Sequence, residues 1–220
     1  TERSIEWLKT YYKKNKFFLF IHYWDPHTPY IPPEKYIKYF YPEGKNPFSE
    51  TDGRMDEFYK TPHGKTWSNS WLRKNGKLIK DPEYVEALYD AEIRYMDFHL
   101  GKLFNFLENK KLLENTVVVI FSDHGEIMYH HPGFFDHHGL YDDNIHCPLV
   151  IYIPGVKKKR IENFVLHTDV APSILEIFNF GKEKKMEGKS FVRYITEEKN
   201  KENCNFIVSS ECTYQAKWCI

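Results

Sequence analysis

The stretch TVVVIFSDHGEIMYHHPGFFDHHGLYDDNIHCPLVIYIPG, residues 116–155, decides how this chain is read. Two runs rich in branched apolar residues, TVVVIF (116–121) and PLVIYIP (148–154), bracket it. Each has the length of a buried strand and suits the middle of a parallel sheet. Between them stand six of the eleven histidines, His124, His130, His131, His137, His138 and His146, with carboxylates among them. In an open α/β sheet, ligands bind beyond the carboxyl ends of the strands, which is where Asp123 and His124 fall.

Upstream, residues 2–14 carry Ile5, Leu8 and Tyr12 at helical spacing, and KFFLFIHY (16–23) reads as a buried strand. That strand stops at WDPHTPYIPP, where four prolines in eight residues forbid regular pairing. Residues 31–80 read as a long excursion with short helical pieces, rich in Pro, Gly, Lys and aromatics. Asp81 has the look of an N-cap with Pro82 at the first helical position. Behind it Val85, Leu88, Ile93, Met96, Leu100, Leu103 and Leu107 mark a helix to about residue 110. Downstream, 167–178 reads as a helix starting at Thr168 or Asp169, and 205–211 as a last strand. Strands alternating with amphipathic helices predict an α/β fold with a largely parallel central sheet flanked by helices. The expected division is a core over 1–180 and the beginning of a C-terminal subdomain over 181–220.

Composition narrows the function. Thirty-one basic residues balance thirty-one acidic ones, so no global field attracts nucleic acid or an anionic membrane. No apolar run approaches the roughly 18 residues of a membrane span. The aromatic excess, 17 Phe, 16 Tyr and 5 Trp, suits a thick core and equally a cleft that stacks on sugar rings; Trp67, Trp71, Tyr36, Tyr39 and Phe40 are candidates for either. The four cysteines show no zinc-like spacing, and compartment and oligomeric state stay open.

Chemistry concentrates at two strand ends, Trp24-Asp25-Pro26-His27 and Ser122-Asp123-His124-Gly125-Glu126. If those strands are parallel neighbours, Asp25, His27, Asp123 and His124 share one rim. An Asp followed by His on a tight Gly turn offers a hard oxygen and an imidazole nitrogen to Ca²⁺, Mg²⁺, Mn²⁺ or Zn²⁺. Asp142-Asp143 reads as the start of a short helix and His146 as a structural residue. His130 and His131 read either as groups behind the site or as solvent-exposed loop residues.

Five segments, FFLFIHYWDPHTPYIPPEKY (17–36), ALYDAEIRYMDFHLGKLFNFL (87–107), ENTVVVIFSDHGE (114–126), FDHHGLYDDNIHCPLVIYIPG (135–155) and HTDVAPSILEIF (167–178), together and in order resemble the sulfatases of the alkaline phosphatase superfamily. The resemblance implies an alkaline-phosphatase-like sandwich, here with the start of a C-terminal antiparallel sheet. It also implies metal-dependent hydrolysis of sulfate esters, arylsulfatase-like, on a sulfated small molecule or carbohydrate. Asp123 and His124 match the family's metal ligands, for one divalent ion, Ca²⁺ in most relatives with Mg²⁺ or Mn²⁺ as alternatives. His27 matches a histidine that contacts the sulfate and protonates the leaving alcohol. The family's sulfate-binding Lys aligns with His137, or with His138 after a one-residue slip. Asp25 and His131 are assigned as candidate substrate-binding residues.

Two family features have no counterpart. Neither the Asp-Asp pair that completes the metal cage nor the C/S-x-P/A-S-R motif, whose first residue becomes formylglycine, occurs in its place. The expectation is therefore a central-to-C-terminal portion of a sulfatase, inactive alone. The alternatives are a phosphodiesterase or phosphonate monoester hydrolase of the same superfamily, or a non-catalytic glycan-binding relative.

Overall fold

A computed structural model describes residues 1–49, 53–131, 134–181, 183–196, 206–211 and 217–219. They divide into two compact units: Thr1–Val117 with Ile127–Asp136, and Val118–Glu126 with His137–Ile220.

The first unit is built on one long helix. Helices α1 (Glu2–Tyr11), α2 (Glu34–Ile37), α3 (Arg54–Phe58) and α4 (Pro62–Ser68) and the small ladder β1–β2 (Arg73–Lys74 with Lys77–Leu78) precede α5 (Pro82–Asn109). A short 3-10 turn, Leu112–Asn115, follows it. The expected short helical pieces of the 31–80 excursion are thus present, and the expected start of the long helix is met. Asp81, fully buried, accepts the Glu83 amide at 3.0 Å as the N-cap. Its other oxygen accepts the Tyr41 hydroxyl at 2.8 Å and pairs with Lys45 at 2.8 Å. One carboxylate therefore satisfies a helix terminus, a buried phenol and a lysine together.

Part of the aromatic excess is core. Tyr30, Tyr41, Met55, Phe58, Leu72, Ile79, Tyr84, Val85, Leu88, Met128 and Phe135 form one buried cluster. Phe58 sits among Phe134, Phe135 and Trp67, with ring centroids 5.5–5.8 Å away. On the apolar face of α5, four residues after Leu88, lies Glu92, only 4% exposed. It accepts the Ile31 amide at 2.7 Å through Oε1, while Oε2 has no hydrogen-bond partner among the described residues. Burial pushes its carboxyl up to about 7, with the Ile31 bond opposing and Asp25 adding to the rise.

The second unit holds β3 (Val118–Phe121), α6 (Asp142–Ile145), β4 (Leu149–Tyr152), α7 (His167–Ile177), α8 (Val192–Thr196), β5 (Ser209–Glu211) and β6 (Lys217–Cys219). Helix α7 begins one residue before the expected window, with the Asp169 carboxylate accepting the Leu166 amide at 3.0 Å and the Lys189 amide at 2.7 Å. Ser173 ties the same helix to Phe191 by accepting its amide at 2.9 Å. Asp142-Asp143 does open a short helix. The free cysteines among the described residues are Cys147 and Cys219; Cys204 and Cys212 lie outside them.

The α/β class holds, but strand direction differs from the expectation of a largely parallel sheet. β3 and β4 pair antiparallel, Val118 opposite Tyr152 and Phe121 opposite Leu149, and β1–β2 and β5–β6 are antiparallel too. The physical reason is that branched apolar runs report burial and say nothing of direction. The described link between β3 and β4 carries only the four-residue α6, whereas a parallel pair joined directly needs a longer crossover, usually a full helix. The expected strand at 16–23 makes no ladder among the described residues. Its exposure alternates strictly from Phe17 to Trp24, leaving Phe18 79% and Phe20 72% exposed.

Two outcomes follow from the buried carboxylates. Asp81→Ala removes a cap and strands the Tyr41 hydroxyl, so it is expected to cost about 2–4 kcal/mol in urea unfolding. Glu92 favours its protonated form in the fold. Its destabilisation is absent below pH about 4.5, grows as pH rises, and is complete above about 7, amounting to about 3 kcal/mol. Glu92→Gln keeps an acceptor for Ile31 and removes the titration. Melts at pH 5 and pH 8 should show the variant gaining on the parent at the higher pH, and a difference that does not change with pH would refute this account.

Candidate active site

In the second unit, β3 delivers Ser122, Asp123 and His124 to a turn that is latched in place. Gly125 donates its amide to the Asn144 carbonyl at 2.7 Å and Glu126 donates to Asp143 at 3.0 Å. A Cβ at Gly125 would collide with the Asp143 carbonyl, so only glycine lets the turn dock against α6. His167 donates from Nε2 to the Ser122 carbonyl at 2.8 Å and pins the strand end from α7.

That backbone sets the chemistry of His124. A carbonyl can only accept, so the 2.8 Å contact from His124 Nδ1 to the Gly125 oxygen puts the proton of the neutral ring on Nδ1. Nε2 keeps its lone pair and stands 3.7 Å from Asp123 Oδ2. The Asp123 side chain is 84% exposed, and its Oδ1 accepts the His124 amide at 3.1 Å. A separation of 3.7 Å between a carboxylate oxygen and a lone-pair nitrogen suits two ligands of one cation, with the ring oriented by a backbone carbonyl as metal-bound imidazoles usually are. The pair fits a divalent metal but supplies only two of the several donors a hard cation takes. His137 stacks on His124 with centroids 4.2 Å apart and 25° between planes, and His138 lies 4.5 Å from His137. Four of the predicted site residues, Asp123, His124, His137 and His138, therefore gather at the Asp-His turn.

In the first unit the proline turn is closed by the His27 amide donating to the Trp24 carbonyl at 2.9 Å. Both proline bonds there, Asp25–Pro26 and Thr28–Pro29, are cis. His27 Nδ1 lies 2.6 Å from the Thr28 carbonyl, which again places the neutral ring's proton on Nδ1. The Trp24 ring covers His27 at 4.3 Å. Asp25 belongs to this turn and is half-buried; His131 is half-buried in the loop after Ile127. Asp136, which precedes His137, ends this unit, bridges Ile127 and pairs with His63 at 3.8 Å.

Directly after His27, Thr28, Pro29 and Ile31 form one wall of a cavity of about 440 Å³, with Trp67, Ser70 and Trp71 opposite. Trp67 and Trp71 lie 5.5 Å apart, and His63 stacks on Trp67. Tyr30 braces the wall between Trp71 and Tyr89, and Glu92 holds the Ile31 amide. Sequence reasoning missed Glu92. The available signal was a carboxylate four residues from Leu88 on an apolar helical stripe, where an acid needs a partner.

The chain as a whole has relatives. The family model described as Sulfatase matches residues 1–180. An uncharacterised sulfatase, YidJ of Escherichia coli, is 26% identical over 197 residues, covering 87% of this chain and 38% of its own length. An arylsulfatase of Clostridium perfringens is 28% identical over 213 residues, covering 90% of this chain and 41% of its own. The chain thus spans about two fifths of these relatives. Among solved structures, the phosphonate monoester hydrolase SpPMH from Silicibacter pomeroyi superposes with a TM-score of 0.73 at 21% identity, over 94% of this chain and 43% of that one. BT4656, solved with its substrate D-glucosamine-2-N,6-O-disulfate, gives 0.66 at 19% identity, over 89% and 51%. These two likenesses speak for the alkaline-phosphatase-like fold. With the family pattern running through residues 1–180 of its 220, the chain belongs to the sulfatase family.

Proposed function

We propose that this chain carries the leaving-group acid, the sulfate contacts and part of the metal cage of a hydrolase acting on sulfate esters of carbohydrates. The observation that carries the reading is the pair of tautomer-fixed imidazoles: His124, with Nε2 3.7 Å from Asp123 Oδ2, and His27, held through Nδ1 by the Thr28 carbonyl. Asp123 and His124 would hold the metal, Ca²⁺ by analogy with the family and Mg²⁺ or Mn²⁺ as alternatives. A divalent ion there supplies positive charge for the anionic sulfuryl group.

The remaining roles belong to the chain's own side chains. As the ester S–O bond breaks, charge builds on the departing oxygen, and the His27 ring, in its doubly protonated form, gives it the Nε2 proton, an effect worth about 10² to 10⁴ in rate. His137 or His138 donates to a sulfuryl oxygen, with Asp25 and His131 assigned to the substrate side. The alcohol must lie where His27 can reach it, so the cavity that begins at Thr28 is assigned to its sugar ring, stacked on Trp67 and Trp71. None of the 220 residues forms the formylglycine motif, so no nucleophilic step is derived, and this chain alone is expected to bind without turnover.

Two measurements test the reading. Mn²⁺ should broaden the His124 imidazole resonances before those of the other histidines, and Asp123→Ala should weaken that effect at least about tenfold; uniform broadening would remove the metal assignment. In calorimetric titration with D-glucosamine-2-N,6-O-disulfate, Trp67→Ala should lose about three- to tenfold in affinity. Unchanged affinity would exclude the sugar cavity, and tighter binding of a phosphonate ester than of the sulfated sugar would favour the phosphonate hydrolase alternative.

A further inference from the structure

A second cavity in the first unit, of about 340 Å³, lies between α2 and α5 and has a different chemistry. Lys35 and Lys38 come from α2 and its C-cap, and Arg94 comes from α5. None of these cations has an ion pair among the described residues, although Asp97 lines the same cavity. Lys45, Lys74, Lys80 and Lys102, by contrast, each reach a carboxylate. In a chain with equal numbers of acids and bases, three such cations around one hollow are a local excess.

Aromatic faces hold these cations where they are. Lys35 Nζ lies 4.9 Å from the Tyr36 ring centre and 5.8 Å from that of Phe98. Lys38 and Arg94 both lie 5.6 Å from the centre of Tyr39. Tyr36 is buried and packs on Tyr95 at 5.5 Å, which fixes the floor on α5. Ring faces attract cations through their quadrupole but cannot neutralise them, so the charge remains available to an oxyanion. Arg94 offers a planar fork that matches two oxygens of one sulfate, and the lysines offer point charges beside it. Tyr39, 62% exposed, presents an apolar ring at the rim.

We propose that this cavity is an accessory subsite for a sulfate-bearing sugar unit of the same glycan, a unit whose sulfate is bound and not hydrolysed. The proposal rests on the reading of the substrate as a sulfated carbohydrate. Ile31, at the first cavity, and Lys35, at this one, are four residues apart. Their Cα atoms can therefore be no more than about 14 Å apart. That distance is within the span of a short oligosaccharide. The subsite selects chains sulfated on more than one sugar, and it draws on charge where the first cavity draws on stacking.

The test is calorimetric titration of the parent, a Lys38→Ala/Arg94→Ala double variant and Trp67→Ala. The ligands are a multiply sulfated tetrasaccharide containing uronate, its desulfated counterpart and D-glucosamine-2-N,6-O-disulfate. The double variant should lose about tenfold or more in affinity for the sulfated tetrasaccharide and show a flatter salt dependence. Its affinity for the monosaccharide should change less than about twofold, while Trp67→Ala weakens both ligands. Tetrasaccharide affinity unchanged in the double variant, or no binding by the parent, would overturn the subsite. An equal loss with the desulfated chain would overturn its assignment to sulfate. A loss in the double variant with none in Trp67→Ala would leave the subsite standing and remove the first cavity from the reading.

Discussion

Irregular backbone needs hydrogen-bond partners as much as regular backbone does, and this protein meets that need partly with polar side chains at its two candidate turns. The proline turn cannot join a ladder, so its groups are satisfied locally: the His27 amide on Trp24, the His27 ring on Thr28, the Ile31 amide on Glu92. The Asp-His turn follows the same logic with Gly125, Asn144 and His167. Each histidine ring that donates to a backbone carbonyl is fixed in tautomer and direction. Supporting the backbone and preparing the imidazole are one interaction.

The same constraint accounts for the two buried acids at the N-cap and on the helix of α5. Asp81 is enclosed with a helix terminus, a phenol and a lysine, so its charge is well supplied with donors. Glu92 has one amide for one oxygen, and its raised pKa is the consequence. A fully bonded carboxylate stabilises the fold, whereas a half-bonded one costs stability wherever it is ionised. Retaining the second kind makes sense where it holds a wall, and Glu92 holds Ile31 at the rim of the tryptophan cavity. No helix among the described residues is long and apolar enough to cross a membrane; α5, the longest, turns its apolar stripe inward to the aromatic core.

One compositional excess is found in three situations. Phe58, Tyr84 and their neighbours are interior, packed on one another and on α5. Trp67 and Trp71 face partly outward beside the proline turn, and Tyr36 and Tyr39 carry cations between α2 and α5. The aromatic count alone is the same in all three situations. What separates them is whether a ring meets other rings, open space or a charged nitrogen.

By itself the sequence determined what depends on local pattern. The Asp81 cap, the length of α5, the strand positions at 118–121 and 149–152, the short helix at Asp142 and the Asp-His turn all follow from spacing and residue type within a few positions. The ordered motifs between 17 and 178 likewise carry the family, because each must suit its own local backbone. Tertiary structure alone decided that β3 and β4 run antiparallel, that His137 stacks on His124, that Glu92 reaches Ile31 across sixty-one residues, and which aromatics line cavities. The physical reason is range: capping and periodicity act within one or two turns of chain, whereas strand direction, ring stacking and charge burial depend on which distant segments the folded core brings together.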